Sequence, residues 1–135
     1  MKGSKLEFNS PDDVEAVYYE AFRHCDSNVM AALWADGYVV CIHPGCGAIV
    51  GHEAVARSWR HIFTDAEQAE VIYRVERKTI SDDLTVHLVT EEIGSGDELA
   101  RVIATNVYQK FESGWLMIEH HSSLVQTQSL NQTVQ

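Results

Sequence analysis

The sequence predicts an α+β domain in which a cone-shaped, curved antiparallel or mixed sheet wraps around three N-terminal helices. Two observations carry that expectation. Helical periodicity is confined to the first half of the chain, with capped starts near Ser10 and Asp26 and a third start opened by Gly51. Long runs rich in Val, Ile, Thr, Tyr and Phe then follow at 69–80, 84–94, 98–111 and 115–125, and helices followed by strands is an α+β order. Consecutive strands of that length twist and curl, so the helices are placed to cover a concave side.

Each element has a local reason. Ser10 reads as an N-cap, Pro11 as first helical residue, and Asp12 and Asp13 as first-turn acids. Val14, Val17, Tyr18, Ala21 and Phe22 then form one apolar stripe that ends near His24. Asp26 or Ser27 caps a shorter helix with Val29, Met30, Leu33 and Trp34 inward, closed by Gly37. Tyr38 to His43 is a β-branched strand stopped by Pro44-Gly45, and a short extended piece spans 48–50. The third helix runs from Gly51-His52-Glu53 to about Phe63, with Val55, Trp59, Ile62 and Phe63 on one side. Ser81-Asp82-Asp83, Gly94-Ser95-Gly96-Asp97 and Glu112-Ser113-Gly114 are turn chemistry between the strands.

A chain of 135 residues makes one domain with one core. We expect an extension over 1–9, the folded unit over 10–125 and a mobile polar tail over 126–135. A formal charge of -10 argues against nucleic acid and anionic membranes as partners. No apolar run approaches the roughly 20 residues that span a bilayer. The first residues lack the apolar core of a signal peptide, and the three cysteines are an odd number, so a cytoplasmic location with reduced thiols is expected.

The polar residues in mid-strand point to function. Asn106, Glu119, His120 and His121 interrupt apolar runs, and burying such groups unpaired costs about 1–3 kcal/mol each. They mark either a hydrogen-bond network or a pocket wall. A three-residue turn at 112–114 would set Phe111 opposite Trp115, Tyr108 opposite Ile118, Asn106 opposite His120 and Ala104 opposite Ser122. A four-residue turn at 94–97 would set Val89 against Val102 and His87 against Ala104, with Glu91 on the same face. That face is assigned to the cavity. The other, holding Val107, Phe111, Trp115, Met117 and Glu119, is assigned to the outside and is apolar enough to suggest a homodimer.

Asn106 and His120 form either an acid–base or binding site or a purely structural pair; His87 or Glu91 would complete a proton-transfer dyad. Cys41, His43, Cys46 and His52 look like metal ligands but lack a zinc spacing, so no metal is expected. No nucleophile elbow or phosphate loop is present, and Gly45, Gly47 and Gly51 read as turn residues. Trp34 and Trp59 could stack on a planar ligand or simply fill the core.

Thr105-Asn106-Val107-Tyr108, Gly114-Trp115-Leu116-Met117-Ile118, His120-His121-Ser122-Ser123 and Gly51-His52-Glu53-Ala54-Val55 leading to Ser58-Trp59 resemble the SnoaL-like and nuclear-transport-factor superfamily, across residues 10–125. The resemblance implies a cystatin-like cone and a dimer. It is nearest to the branch that holds the association domain of calcium/calmodulin-dependent kinase. The superfamily also holds isomerases, dehydratases and polyketide cyclases, so fold alone does not settle function. The expected function is binding of a small organic molecule in a mostly apolar pocket. The expected wall is Trp34, His43, Trp59, His87, Glu91, Asn106, Tyr108, Ile118, His120 and Ser122. If a reaction occurs there, it is cofactor-free isomerisation or dehydration with His120 as acid or base. The alternative is a non-catalytic dimeric association module.

Overall fold

The computed structural model describes residues 6–64, 69–95 and 97–126, so most of the expected polar tail and the first part of the expected extension lie outside the described residues. Helix α1 spans Pro11–His24, with the Ser10 side chain accepting from the Asp13 N–H at 3.1 Å. Cys25 ends it in the left-handed region at φ 54°. Helix α2 spans Ser27–Ala32 under an Asp26 cap. It stops well before Gly37 because the chain leaves to bond the sheet: Met117 N–H donates to Leu33 O at 2.9 Å and Ala35 N–H to Met117 O at 3.0 Å. Helix α3 spans His52–Thr64.

Strands β1 (Val40–Ile42), β2 (Ile49–Val50), β3 (Glu70–Ile80), β4 (Leu84–Ser95), β5 (Glu98–Phe111) and β6 (Gly114–Leu124) make one six-stranded sheet in the order β2-β1-β6-β5-β4-β3. The sheet is mixed, since β1 runs parallel to β6 while the long strands pair antiparallel. The core joins Val14, Tyr18 and Tyr19 of α1 to Leu33, Val55, Trp59, Val89, Tyr108 and Met117, so the helices lie inside the curl. Bulges at Val75/Arg77 in β3 and opposite Val107/Tyr108 in β6 bend the long strands.

The β6 bulge corrects the expected register. Phe111 pairs with Gly114 and Tyr108 with Met117, then Val107 with Glu119, leaving Ile118 as the extra residue. Asn106 still faces His120 and Ala104 faces Ser122, because the shorter turn and the bulge cancel. Trp115 and Met117 therefore point inward and are buried, not outward as the straight-strand register required. On β4 the register is offset by two: His87 opposes Asn106 and Val89 opposes Ala104. A shift of two keeps every side chain on its face.

Gly114 has φ 121°, and a Cβ there would sit 2.5 Å from Phe8 O, whose carbonyl also accepts from Trp115 N–H at 2.9 Å. Gly114→Ala is expected to cost about 2 kcal/mol. Thermal melting checks this, and an unchanged Tm would mean that the segment at Phe8 is not held against the hairpin.

Candidate functional site

Helix α1 delivers Glu15, Tyr18 and Tyr19 to the inner face at i, i+3 and i+4. Strand β4 adds His87 and Glu91, β5 adds Asn106 and Tyr108, and β6 adds His120. All eight are at most 2% exposed. Burial on that scale is tolerated only with partners, and here the partners are one another.

Glu15 Oε2 accepts from Tyr108 OH at 2.7 Å and Asn106 Nδ2 at 3.4 Å, and lies 2.9 Å from His87 Nδ1. Asn106 Nδ2 also donates to Tyr19 OH at 3.1 Å, and Tyr19 OH donates onward to Glu91 Oε2 at 2.5 Å. With its amide N–H groups committed, Asn106 offers Oδ1 to His120 Nδ1 at 2.5 Å. His120 is therefore the Nδ1–H tautomer, and its Nε2 lone pair accepts from Tyr18 OH at 3.2 Å.

Burial sets the proton affinities. It lowers the His120 pKa to about 3, helped by His43 and His121, so this imidazole stays neutral. Burial raises the Glu91 pKa to about 7, the Tyr19 hydrogen bond opposing the rise and Glu15 adding to it. Burial also lifts the Tyr18, Tyr19 and Tyr108 hydroxyls well above their ordinary value. The buried Cys41 thiol is pushed up to about 12, which makes it an inert neighbour.

Glu91 and His120 form part of the wall of a cavity of about 190 Å³. Of the residues expected there, His43, Trp59, Glu91, His120 and Ser122 line it. Asn106, Tyr108 and His87 sit behind that wall as the buried network. Trp34 borders a separate depression with His52 and Leu116, drawn away by its bridge to Met117. Ile118, the bulged residue, lines neither. Phe22, Pro44, Ile62, Ile93 and Val102 complete the apolar wall. Glu15, Tyr18 and Tyr19 were not among the expected site residues. Their signal was the polar residue at i with tyrosines at i+3 and i+4, overlapping the apolar stripe.

Asp12, Glu15 and His87 bring one potential metal-ligating atom each within 4.8 Å. Lys78 Nζ lies 3.0 Å from Asp12 Oδ1 and already supplies positive charge there. Cys41 Sγ is 3.7 Å from His43 Nε2, which turns instead to Ser58 Oγ at 3.0 Å.

Residues 13–127 match the SnoaL-like domain family. The chain belongs to that family. Among solved structures, this SnoaL-like domain is similar to a protein from Thiobacillus denitrificans provisionally described as a calcium/calmodulin-dependent protein kinase type II association domain. The two share 34% identity with a TM-score of 0.85, over 90% of this chain and 99% of that one. It is also similar to a provisionally described dehydratase of the NTF2-like family from Streptomyces avermitilis. There the identity is 27% and the TM-score 0.76, over 84% of this chain and 92% of that one. The F-box protein SKIP8 of Arabidopsis thaliana is 26% identical over 113 residues, which is 83% of this chain. The chain spans about half, 48%, of that relative's length. The fold is thus the NTF2-like, cystatin-like cone. No helix among the described residues is long and apolar enough to cross a membrane.

Proposed function

We propose that the SnoaL-like cone binds a small organic molecule in its inner cavity and moves a proton on it without a cofactor, as an isomerase or dehydratase does. The observation that carries this reading is Glu91: a buried carboxyl on the cavity wall whose pKa burial raises to about 7. A proton acceptor tuned near the working pH is what general base catalysis needs. The role first expected of His120 passes to Glu91, because an imidazole with pKa about 3, its Nε2 engaged by Tyr18, exchanges protons poorly near neutrality. His120 and Asn106 then act as positioning residues: the chain from His120 through Asn106 and Tyr19 fixes one oxygen of Glu91. The similarity to the provisionally described dehydratase supports this reading.

The test is deuterium uptake from D2O at carbon adjacent to a carbonyl, followed by NMR across small ketones and hydroxyketones. Wild type is expected to catalyse uptake into at least one of them, and Glu91→Gln to slow it by about 10²–10⁴-fold. Equal rates in both proteins would remove Glu91 from the chemistry.

A second reading, a dimeric association module, is favoured by the outer sheet face. Ile72 (61% exposed), Leu99 (63%) and Ile103 (41%) stand there beside the Arg101–Glu92 pair. We assign this face to a homodimer, with or without catalysis inside the cone. Ile103→Lys is expected to convert the dimer to monomer in sedimentation equilibrium; a wild-type monomer would end the assignment. The free cysteines Cys25, Cys41 and Cys46 suit the reducing cytoplasm, where we place the protein.

A further inference from the structure

We propose that His87 and Asp12 bind a divalent transition-metal ion of the zinc class where the buried network reaches the surface, with Glu15 holding the imidazole from behind. The site stands apart from the cavity and does not depend on the proton-transfer reading.

The donor atoms come from segments that only the fold joins. Asp12 and Glu15 stand three residues apart in the first turns of α1, and His87 comes from β4. One ligand atom of each lies within 4.8 Å of the other two. The histidine supplies what two carboxylates alone would lack. Its Nδ1 lies 2.9 Å from Glu15 Oε2, the same oxygen that accepts from Tyr108 OH and Asn106 Nδ2. An oxygen already accepting two protons takes a third from Nδ1–H, so the Nε2 of a neutral ring carries a lone pair. The side chain is 1% exposed, yet Nε2 finds no hydrogen-bond donor among the described residues. It faces another acceptor, Asp12 Oδ1, at 3.8 Å. Two lone-pair atoms turned toward each other call for a cation between them.

The geometry suits a small ion with nitrogen and oxygen donors. Two ligand atoms of a tetrahedral zinc with bonds of about 2.1 Å stand roughly 3.4 Å apart, so a slight swing of the exposed Asp12 carboxylate closes the gap. Water completes the coordination. A carboxylate that takes the second N–H of a ligating histidine fixes its tautomer and raises its basicity, which is the place Glu15 holds. Tyr108, its ring centroid 5.2 Å from that of His87, keeps the imidazole from turning. Imidazole favours zinc, copper or nickel, whereas calcium and magnesium prefer oxygen ligands. Lys78 is the competitor, with Nζ 3.0 and 3.1 Å from the two Asp12 oxygens. It shows that positive charge is accepted there although the N-terminus of α1 disfavours it. At 39% and 61% exposed, the Lys78–Asp12 pair is loose enough to exchange. A bound ion clamps the first turn of α1 to β4 and stabilises the fold by mass action.

The experiment is isothermal titration calorimetry of the full chain with zinc chloride at pH 7.5. The exposed Cys46 is replaced by serine throughout, so that its thiol offers no rival ligand. Long-range nitrogen-15 NMR follows the His87 ring. One equivalent of zinc is expected to bind, moving the His87 Nε2 resonance while Nδ1 stays protonated. Asp12→Asn is expected to weaken binding at least about tenfold, and Lys78→Gln, which removes the competitor, to tighten it about threefold. Both positions are exposed, so both variants keep the fold. Calcium chloride is expected to leave His87 unmoved. No zinc binding overturns the proposal. Binding that ignores Asp12→Asn, or that moves another histidine in place of His87, overturns it too, because the ion then sits elsewhere. Calcium binding as tightly as zinc overturns the imidazole as ligand, and weaker binding by Lys78→Gln overturns the competition for Asp12. Each of these outcomes leaves the Glu91 reading as it stands.

Discussion

Glu15→Leu is expected to lower the stability of the domain by about 3–5 kcal/mol, a large part of the 5–15 kcal/mol typical of a fold. Oε2 of Glu15 is the shared partner of Tyr108 OH, His87 Nδ1 and Asn106 Nδ2, and every one of those residues is at most 1% exposed. Leucine fills similar space but leaves at least two buried polar groups with no water to turn to. Each such orphan costs about 1–3 kcal/mol. Glu15→Gln keeps a carbonyl acceptor in the same place and should cost about half as much. Urea denaturation of both variants measures the difference, which appears as a lowered midpoint with unchanged slope. A leucine variant within about 1 kcal/mol of wild type would mean that the network is not held together through Glu15.

Glu91→Gln is expected to make the protein more stable at pH 8, by up to about 3 kcal/mol or roughly 10 °C in Tm, even as it removes the proposed base. The Glu91 pKa rises from 4.5 in the ordinary case to about 7 in the fold. The folded state therefore holds more protons than the unfolded chain between those pH values. Stability from this group is complete below pH 4.5 and lost as pH rises through 7. His120 works the other way, since its pKa falls from 6.5 to about 3. Its contribution is complete above pH 6.5 and lost as pH falls toward 3. Between 4.5 and 6.5 the slopes of Glu91 and His120 oppose, so wild type should show a plateau there. In Glu91→Gln the His120 slope stands alone, and stability should climb with pH across that window. Chemical denaturation at several pH values reads both. A variant that parallels wild type throughout would show that Glu91 titrates like an exposed carboxyl.

The fold was legible because its signals are local. Ser10, Pro11 and Asp26 start helices by capping chemistry, and strand lengths followed from β-branched runs bounded by turn residues. The parallel docking of β1 on β6 was not legible, since it is set by long-range packing and leaves no periodic trace. The bulge at Ile118 was equally silent: one extra residue reverses the facing of Trp115 and Met117 without altering composition. The pairing of Asn106 with His120, by contrast, could be read from turn length because two one-residue errors cancelled. Glu15 escaped notice because it stands beside the first-turn acids Asp12 and Asp13, and only the tertiary fold separates it from them. The cavity and the network proved to be two objects. Polar mid-strand residues pointed to one or the other, and which of them meet the cavity depends on where α1 lies across the sheet.

Everything proposed for the interior turns on a carboxyl that exchanges its proton near neutral pH. The direct measurement is a carbon-13 NMR titration of the Glu91 side-chain carboxyl in the intact protein. A midpoint near 7 is predicted. A midpoint near the ordinary 4.5 would contradict it, and with it both the proposed base and the pH dependence of stability.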